Sequence, residues 1–321
     1  SYLARLIRQG FRVAICDQME TPEQAKARKA PTIRRDITRL VTAGTVTEET
    51  RLEAARPAWL LALAPSEDRV GAAWLDVSTG AFGTETLPRA DIQALLARLE
   101  PPEILAPEGV FEGEVAARIT PLDPPRDAVR RLAEAFDVST LDGVGRFSAE
   151  ELAAAAMALE YVRATQAGAL PRLAPPSPMG GRGLLQMDAA TRRSLEILKS
   201  ERGEARHSLL AAVDRTVTAA GARELAARLA SPLAEAAPIL ARHEAVGWML
   251  AAPSERAALR AALKGSPDMA RALARLSLDR FAPRDLAAIR DGLARAEAMA
   301  AALDAAGGLQ PALIESARGA L

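Results

Sequence analysis

The chain has 321 residues, enough for about two domains with separate hydrophobic cores, and this length excludes a small disulfide-stapled scaffold. Hydrophobic residues make up 49% and charged residues 26%, a balance that excludes both a fibrous protein and a largely disordered one. Arg plus Lys and Asp plus Glu each number 41, so the net charge is zero and a nucleic acid or an anionic membrane would have to meet a local basic patch.

The first 45 residues predict a small α/β unit. Apolar residues recur at helical spacing from Tyr2 to Ile7, Gly10 ends that helix, and residues 11–15 then alternate as in a strand. Thr21 to Gln24 has the form of a capping box, which predicts the start of a second helix.

A second strand is predicted from about Ile33 to Thr42, and it carries three arginines. With a period of two, Arg35 and Arg39 share one face about 13 Å apart, while Arg34 points to the other face. Positive charges along a strand face favour phosphate contacts. Arg also makes up 37 of the 41 basic residues, and this bias equally favours a solvated strand face.

Residues 58–146 predict a compact α/β domain. Short apolar or alternating runs separated by turn residues indicate strands, and one amphipathic run indicates a helix. The predicted strands are 59–64, 70–77, 81–87 and 103–106, and the predicted helix is 91–99.

Beyond residue 148 the pattern is almost entirely helical, with Ser148 as the predicted N-cap of the first long helix. A Pro- and Gly-rich stretch at 170–183 is the strongest domain boundary, and we interpret its cluster Gly180-Gly181-Arg182-Gly183 as a linker. Further helices are predicted at 191–198, 220–229, 236–250, 254–263, 269–276 and 283–303.

The cysteine and histidine content excludes a structural zinc site. Cys16 is the single cysteine, and His207 and His243, the two histidines, lie in helical patterns where a surface or hydrogen-bonded role is expected. A lone cysteine forms no internal disulfide, and no apolar run reaches the ~18 residues that span a bilayer. We therefore expect a cytoplasmic protein without a membrane partner.

The sequence also lacks the motifs of nucleotide binding and of nucleophilic catalysis. A P-loop needs a Lys after a glycine-rich turn, and none of the four lysines follows one. There is no Gly-x-Ser-x-Gly elbow. We therefore expect no catalytic residue, no ATP-binding residue and no metal ligand within this chain.

Asp76 carries the alternative hypothesis, a metal-dependent ribonuclease H-like nuclease. It ends an apolar strand just before a turn, where such nucleases place a metal-binding carboxylate, and two-metal catalysis needs further carboxylates converging on the ions. The candidate companions are Glu103, Asp123 and Asp142. The opposing interpretation is that Asp76 caps the turn through its side chain.

Seven short blocks, in order over nearly the whole chain, form a recognisable pattern. They are residues 1–19 (SYLARLIRQGFRVAICDQM), 35–45 (RDITRLVTAGT), 187–197 (MDAATRRSLEI), 208–210 (SLL), 214–218 (DRTVT), 228–233 (RLASPL) and 280–286 (RFAPRDL). This pattern closely resembles the bacterial MutS family of DNA mismatch repair proteins. Asp17 stands where the family usually has glutamate, and Ala43 where it usually has proline.

The resemblance implies three domains. Residues 1–45 would be the C-terminal part of a mixed α/β mismatch-recognition domain, 46–172 a connector domain with a ribonuclease H-like α/β fold, and 173–321 the first part of a helical core or lever domain. The family's mismatch-reading Gly-x-Phe-Tyr-Glu motif would precede Ser1, and Phe111-Glu112 is a chance echo of it. The ATPase domain would follow Leu321, so we expect an internal segment of a longer protein.

The resemblance also implies partners. The family acts as a homodimer that encircles DNA, kinks it at a mispair and couples that state to ATP. The implied partners are mismatched double-stranded DNA, MutL docked on the connector, and a second copy of the full-length protein. ATP and Mg²⁺ would be cofactors of that full-length protein and not of this chain. Arg34, Arg35 and Arg39 would contact the DNA backbone.

Overall fold

A computed structural model of the chain describes residues 2–47, 55–111, 115, 117–179, 183–306 and 309–321. The first segment folds as α1 (Tyr2–Arg8), β1 (Val13–Gln18), α2 (Pro22–Ala27) and β2 (Arg35–Val41), and the two strands form an antiparallel hairpin. The Thr21 hydroxyl accepts the Gln24 amide and the Gln24 side chain accepts the Thr21 amide, which confirms the predicted capping box.

A mixed six-stranded sheet forms the centre of the second segment. Its strands are β3 (Leu60–Pro65), β4 (Arg69–Asp76), β5 (Ala81–Pro88), β6 (Glu103–Ala106), β7 (Arg118–Pro121) and β8 (Ser177–Pro178), in the spatial order β7-β6-β3-β4-β5-β8. β4 pairs in antiparallel fashion with β3 and with β5. The other three pairings are parallel: β6 pairs with β3 and with β7, and β8 pairs with β5. The predicted strand 103–106 coincides with β6, but the sequence pattern does not predict the short strands β7 and β8.

Helices cover both faces of this sheet. The strand residues alternate between the faces, so Leu60 and Leu105 pack against α4 (Ala128–Phe136) and α5 (Ala149–Thr165), while Leu61 and Ile104 pack against α3 (Ile92–Leu99). This three-layer α/β arrangement confirms the fold class expected for the connector.

Close contact between α5 and the sheet depends on a glycine. A Cβ atom at Gly71 of β4 would lie 2.1 Å from the backbone of Glu150, so only glycine lets the start of α5 approach this strand. The Ser148 hydroxyl accepts the Glu151 amide and the Glu151 carboxylate accepts the Ser148 amide, which confirms the predicted cap.

The third segment is helical, as predicted. Its helices are α6 (Ala189–Ser194), α7 (Leu209–Val213), α8 (Ala219–Ala230), α9 (Ala236–Ala251), α10 (Pro253–Leu263), α11 (Met269–Ser277), α12 (Pro283–Ala305) and α13 (Ala312–Gly319). α6 ends at Ser194 and not at the predicted Leu198, because Glu196 adopts a left-handed conformation with a φ of 46°.

Two sequence interpretations fall on positions that the structure does not describe. The proposed linker residues Gly180, Gly181 and Arg182 lie outside the described residues, and so does Glu112. Within the described ranges, no helix has both the length and the apolar character needed to cross a membrane.

Candidate nucleic-acid interface and domain junctions

A β-bulge in the β1–β2 hairpin decides which arginines share a face. Ile15 pairs with Arg39, but the next residue of β1 pairs with Ile37, so Thr38 is an extra residue on β2. Directly paired residues point to the same side of the hairpin, so Arg39 lies on the face of Ile15 and Arg35 on the opposite face. The prediction that Arg35 and Arg39 share one face is therefore wrong, because a count by twos does not include the inserted residue.

The bulge is held by a side-chain hydrogen bond across the hairpin. The Thr38 hydroxyl donates to the Asp17 carboxylate at 2.5 Å. Arg35 pairs with Gln18 and is exposed, whereas Arg39 is half-buried. The hairpin thus presents Arg35 on its more exposed face.

Glu20 organises the connection between the two strands. Its carboxylate accepts Arg28 Nη2 at 2.6 Å and the backbone N–H of Arg34, also at 2.6 Å. These hydrogen bonds, from the Arg28 side chain first and then from the Arg34 backbone, lower the pKa of Glu20. The Arg28 charge is therefore matched locally, while the Arg34 side chain is exposed at the end of the hairpin.

The first 40 residues carry a local excess of positive charge. They contain nine Arg and Lys against four Asp and Glu, so the rest of the chain carries the opposite excess. This excess makes the segment a candidate for the local basic patch that an anionic partner of a chain of zero net charge would need. The signal is present in the sequence and depends on no single arginine.

Asp76 is buried and its carboxylate is occupied by local donors. One oxygen accepts the N–H and the hydroxyl of Ser78 at 2.8 and 2.6 Å, and the other accepts the N–H of Ala58 at 3.2 Å. This arrangement matches the turn-capping interpretation of Asp76.

The proposed carboxylate companions of Asp76 do not converge on it. Leu60 pairs with both Leu75 and Glu103, so Glu103 lies on the Leu75 face of the sheet and Asp76 on the other face. Asp123 and Asp142 are exposed. Among the described residues, no three His, Cys, Asp or Glu side chains are grouped in a way that could hold a metal ion.

Glu103 instead joins the first segment to the sheet. It is fully buried, and its carboxyl oxygens accept the backbone N–H of Gly44 at 2.9 Å, the Thr120 hydroxyl at 2.9 Å and the Tyr161 hydroxyl at 2.7 Å. Burial first, and the neighbouring Glu103 carboxylate second, raise the pKa of Tyr161 well above its usual value. The phenol therefore stays protonated and can donate at any physiological pH. Sequence analysis considered Glu103 only as a metal ligand and did not identify this junction.

The turn after β2 is shaped to reach Glu103. The Thr42 amide donates to the Thr45 hydroxyl at 3.1 Å, and the two threonine hydroxyls are 2.9 Å apart. Both threonines are buried. A Cβ atom at Gly44 would lie 2.8 Å from Leu60 Cδ1 and 3.1 Å from Glu103 Cβ, so the turn approaches the sheet too closely for a side chain there.

Helix α11 links the second segment, which contains the six-stranded sheet and is called the sheet domain below, to the rest of the third, helical segment. Each contact joins α11, or the turn after it, to a residue near the start or the end of the sheet domain. The contacts are Arg271 Nη2 donating to the Arg56 carbonyl at 3.1 Å, the Arg172 N–H donating to Ser277 Oγ at 2.9 Å, and Arg280 Nη1 donating to the side-chain oxygen of Gln166.

Buried ion pairs fix α11 within the helices. Arg275 Nε donates to the Asp285 carboxylate of α12 at 3.0 Å, and Arg223 of α8 lies 2.7 Å from Asp268, the N-cap of α11. α11 is thus tied to two other helices and also to the sheet domain.

The remaining sequence candidates take ordinary positions. His207 is exposed and its Nδ1 lies 2.9 Å from Glu204, His243 is exposed, and Cys16 is an exposed free thiol. Phe111 packs against the apolar side of the sheet that faces α3, so its role is structural.

Three protein-family models match this chain in succession. MutS domain I matches residues 1–50, MutS domain II residues 58–174, and MutS domain III residues 190–317. Together they cover the first segment, which contains the β1–β2 hairpin and is called the hairpin segment below, the sheet domain and most of the helical segment.

Curated relatives have the same affiliation. The DNA mismatch repair protein MutS of Granulibacter bethesdensis is 53% identical over 294 residues, which is 91% of this chain and 32% of the relative. The MutS proteins of Paracoccus denitrificans and Cereibacter sphaeroides are 47% and 46% identical over 94% and 99% of this chain, or 36% and 37% of their own lengths. The chain thus spans about a third of the length of these relatives.

Proposed function

The chain belongs to the MutS family of DNA mismatch repair proteins, and from this we propose that it relays mispair engagement by the recognition domain to the ATP state of the full-length protein. It holds three bodies in order, which are the DNA-facing hairpin segment, the connector and the helical lever. We assign them to residues 1–45, 46–172 and 173–321.

The observation that carries this proposal is the set of contacts around α11. A relay needs a stiff element bonded to both of the bodies that it couples. α11 bonds to the chain on both sides of the sheet domain through Arg271 and Ser277, and to α12 through Arg275.

We assign DNA contact to Arg34, Arg35 and Arg39 of the hairpin. The charge excess of the first 40 residues supports an anionic partner there. Contacts of Arg with phosphate position a protein on DNA but do not report pairing, so this chain contributes affinity and orientation and does not recognise the mispair itself.

We place ATP and Mg²⁺ outside this chain, because none of its lysines follows a glycine-rich loop. The 321 residues are accordingly assigned no catalytic role. The full-length protein is proposed to bind mismatched double-stranded DNA as a homodimer and to dock MutL on the connector. An exposed free Cys16 is consistent with the reducing cytoplasm.

A chimaeric protein tests the relay. This chain replaces the homologous segment of the Granulibacter bethesdensis protein, and ATP turnover is measured with and without a G·T duplex. We expect the mispair to stimulate turnover. In the double variant Ser277→Ala/Arg280→Ala, we expect that stimulation to fall about fivefold or more, because a coupling of this kind is typically worth 5–150-fold.

The matched control is Arg290→Ala, which removes an arginine from the exposed part of α12, where it pairs with its neighbour Asp291. Duplex affinity and unstimulated turnover should stay at the chimaera's own level in both variants. Stimulation that survives loss of the Ser277 and Arg280 contacts would refute the relay.

A further inference from the structure

The end of β2 is buried where it contacts α5, although the hairpin before it is largely exposed. Ile37 is 59% exposed, whereas Val41 and Thr42 are 2% and 0% exposed. The first segment is thus anchored to the connector where the chain leaves the hairpin, and the anchoring hydrogen bond runs from the Gly44 amide to Glu103.

We propose that Glu103 is the positioning residue that fixes the orientation of the hairpin segment on the connector. Its carboxyl group meets donors from both sides, since Gly44 belongs to the hairpin segment while Thr120 and Tyr161 belong to the connector. We call these contacts of Glu103 with Gly44, Thr120 and Tyr161 the joint. Its consequence for DNA repair rests on the proposed function, whereas its effect on the orientation of the hairpin does not.

The groups that donate hydrogen bonds to Glu103 are all uncharged. Among the described residues, no Arg or Lys lies within salt-bridge distance of Glu103, and its carboxyl group accepts from one amide and two hydroxyls. A buried carboxyl group without a cation is costly to keep unless its hydrogen bonds are made. Separating the turn from the connector would remove one of those bonds, and this favours a single orientation.

The close approach of the turn to the sheet also limits which residue can occupy position 44. Because a Cβ atom at Gly44 would lie 2.8 Å from Leu60 Cδ1, a side chain there would push the turn off the sheet. Gly44→Ala therefore opens the same joint as a change at Glu103, but leaves the connector's own residues unchanged.

Two substitutions at Glu103 separate its hydrogen bonds from its charge. Glu103→Met removes the acceptor and keeps a similar length, whereas Glu103→Gln also removes the charge but keeps an acceptor for Gly44. The Gln amide N–H₂ can donate to the Thr120 and Tyr161 hydroxyls, which accept as well as donate. Glu103→Gln should therefore preserve the joint, and Glu103→Met and Gly44→Ala should open it.

Amide hydrogen exchange in the intact chain is the first measurement. We expect the Gly44 amide to exchange about tenfold faster or more in Glu103→Met, which corresponds to the loss of one buried hydrogen bond, and to stay near the parent rate in Glu103→Gln. Amides of Ala62 and Ala73 in the paired strands β3 and β4 should not change and so report an intact connector. An unchanged Gly44 rate in Glu103→Met would overturn the proposal.

A distance measurement reports the orientation itself. One spin label is placed on Cys16, the single cysteine and an exposed one, and a second on Val129→Cys, an exposed position of α4. The distance distribution should be narrow in the parent and in Glu103→Gln, and broad in Gly44→Ala and Glu103→Met. If Glu103→Met does not fold, Gly44→Ala decides, and a narrow distribution in that variant would overturn the proposal.

The control is Glu134→Ala, which removes an exposed carboxylate of the connector that pairs with Arg130. It should leave both measurements unchanged. In the chimaera, Glu103→Met should weaken mispair-stimulated turnover while Glu103→Gln retains it. If the parent chimaera shows no stimulation, the relay fails, and the exchange and distance results still decide the role of Glu103.

Discussion

Buried carboxyl groups in this chain differ in the donors that satisfy them. Glu103 and Asp76 are met by amides and hydroxyls, and Asp285 is met by the Arg275 guanidinium and the Ala282 amide. An unsatisfied amide or hydroxyl in the interior costs about 2–7 kcal/mol by transfer estimates, and an unpaired carboxylate costs more, so each group's role follows from its partners.

Asp285→Asn should weaken the helical segment most at neutral pH. Burial acts to raise the pKa of Asp285, but hydrogen bonds from Arg275 and the Ala282 amide outweigh it and hold the pKa below the usual 3.8. Because the folded-state pKa lies below the unfolded one, the ionised carboxylate stabilises the fold above pH 3.8, and this contribution is lost as the pH falls through the folded value.

We expect Asp285→Asn to cost about 1.5–3 kcal/mol at pH 7, as for a hydrogen bond to a charged group, and we expect this difference to shrink as the pH falls through the folded-state pKa. Denaturant unfolding as a function of pH measures both effects. Asp291→Asn, at an exposed carboxylate of the same helix, is the matched control. A stability difference that stays constant as the pH falls from 7 into the acid range would contradict the assignment.

Asp76→Asn should destabilise the connector. It should not change nuclease activity, because we expect none in the parent chain. Asn keeps one acceptor for Ser78, but turns an N–H₂ group toward the Ala58 amide, which is itself a donor. We expect a loss of about 1–3 kcal/mol, read from tryptophan fluorescence during unfolding. DNA and RNA incubated with the parent chain and Mg²⁺ or Mn²⁺ should stay intact. Cleavage that disappears in Asp76→Asn would restore the nuclease hypothesis.

Among the secondary-structure elements, those with strong local signals could be predicted and those set by pairing could not. The caps at Thr21 and Ser148 and the strand 103–106 follow from short sequence patterns, and the structure confirms them. The bulge at Thr38 depends on which residues of β1 and β2 pair, and Glu196 carries no local sign of its positive φ.

The hairpin gives a prediction that the uncorrected strand pattern does not. Because the bulge puts Arg35 and Arg39 on opposite faces, one DNA backbone lying on the exposed face meets Arg35 more directly. Arg35→Ala should lower the slope of log affinity against log salt concentration by about one, equally for matched and mismatched duplexes, and Arg39→Ala should lower it less.

Arg34→Ala, at the exposed end of the hairpin, should behave like Arg35→Ala. The control is Arg130→Ala, at a 64% exposed arginine of the connector outside the hairpin segment. Salt titrations of the four variants at equal protein concentration make the comparison. A slope that is unchanged in Arg35→Ala, or reduced as much in Arg130→Ala, would remove the hairpin from the DNA interface.

Across the full chain, the family and the order of the three segments could be predicted from sequence blocks, but the joints between segments could not. Glu103 meets Gly44 and Tyr161 only after the sheet has formed, and Ser277 meets Arg172 only after the helices pack. Contacts between residues so far apart in sequence depend on topology, which local patterns do not encode.

We propose that, at the scale of the whole molecule, this chain positions and relays but does not itself recognise a mispair. Its sequence contains no Gly-x-Phe-Tyr-Glu motif, and without an aromatic wedge nothing in the chain favours unstacking at a weakened base step. A competition titration of the 321-residue chain with G·T and G·C duplexes tests this most directly. We predict weak, salt-sensitive binding with equal affinity for the two duplexes. A reproducible preference for the mispair of more than about tenfold, or ~1.4 kcal/mol, would contradict the account.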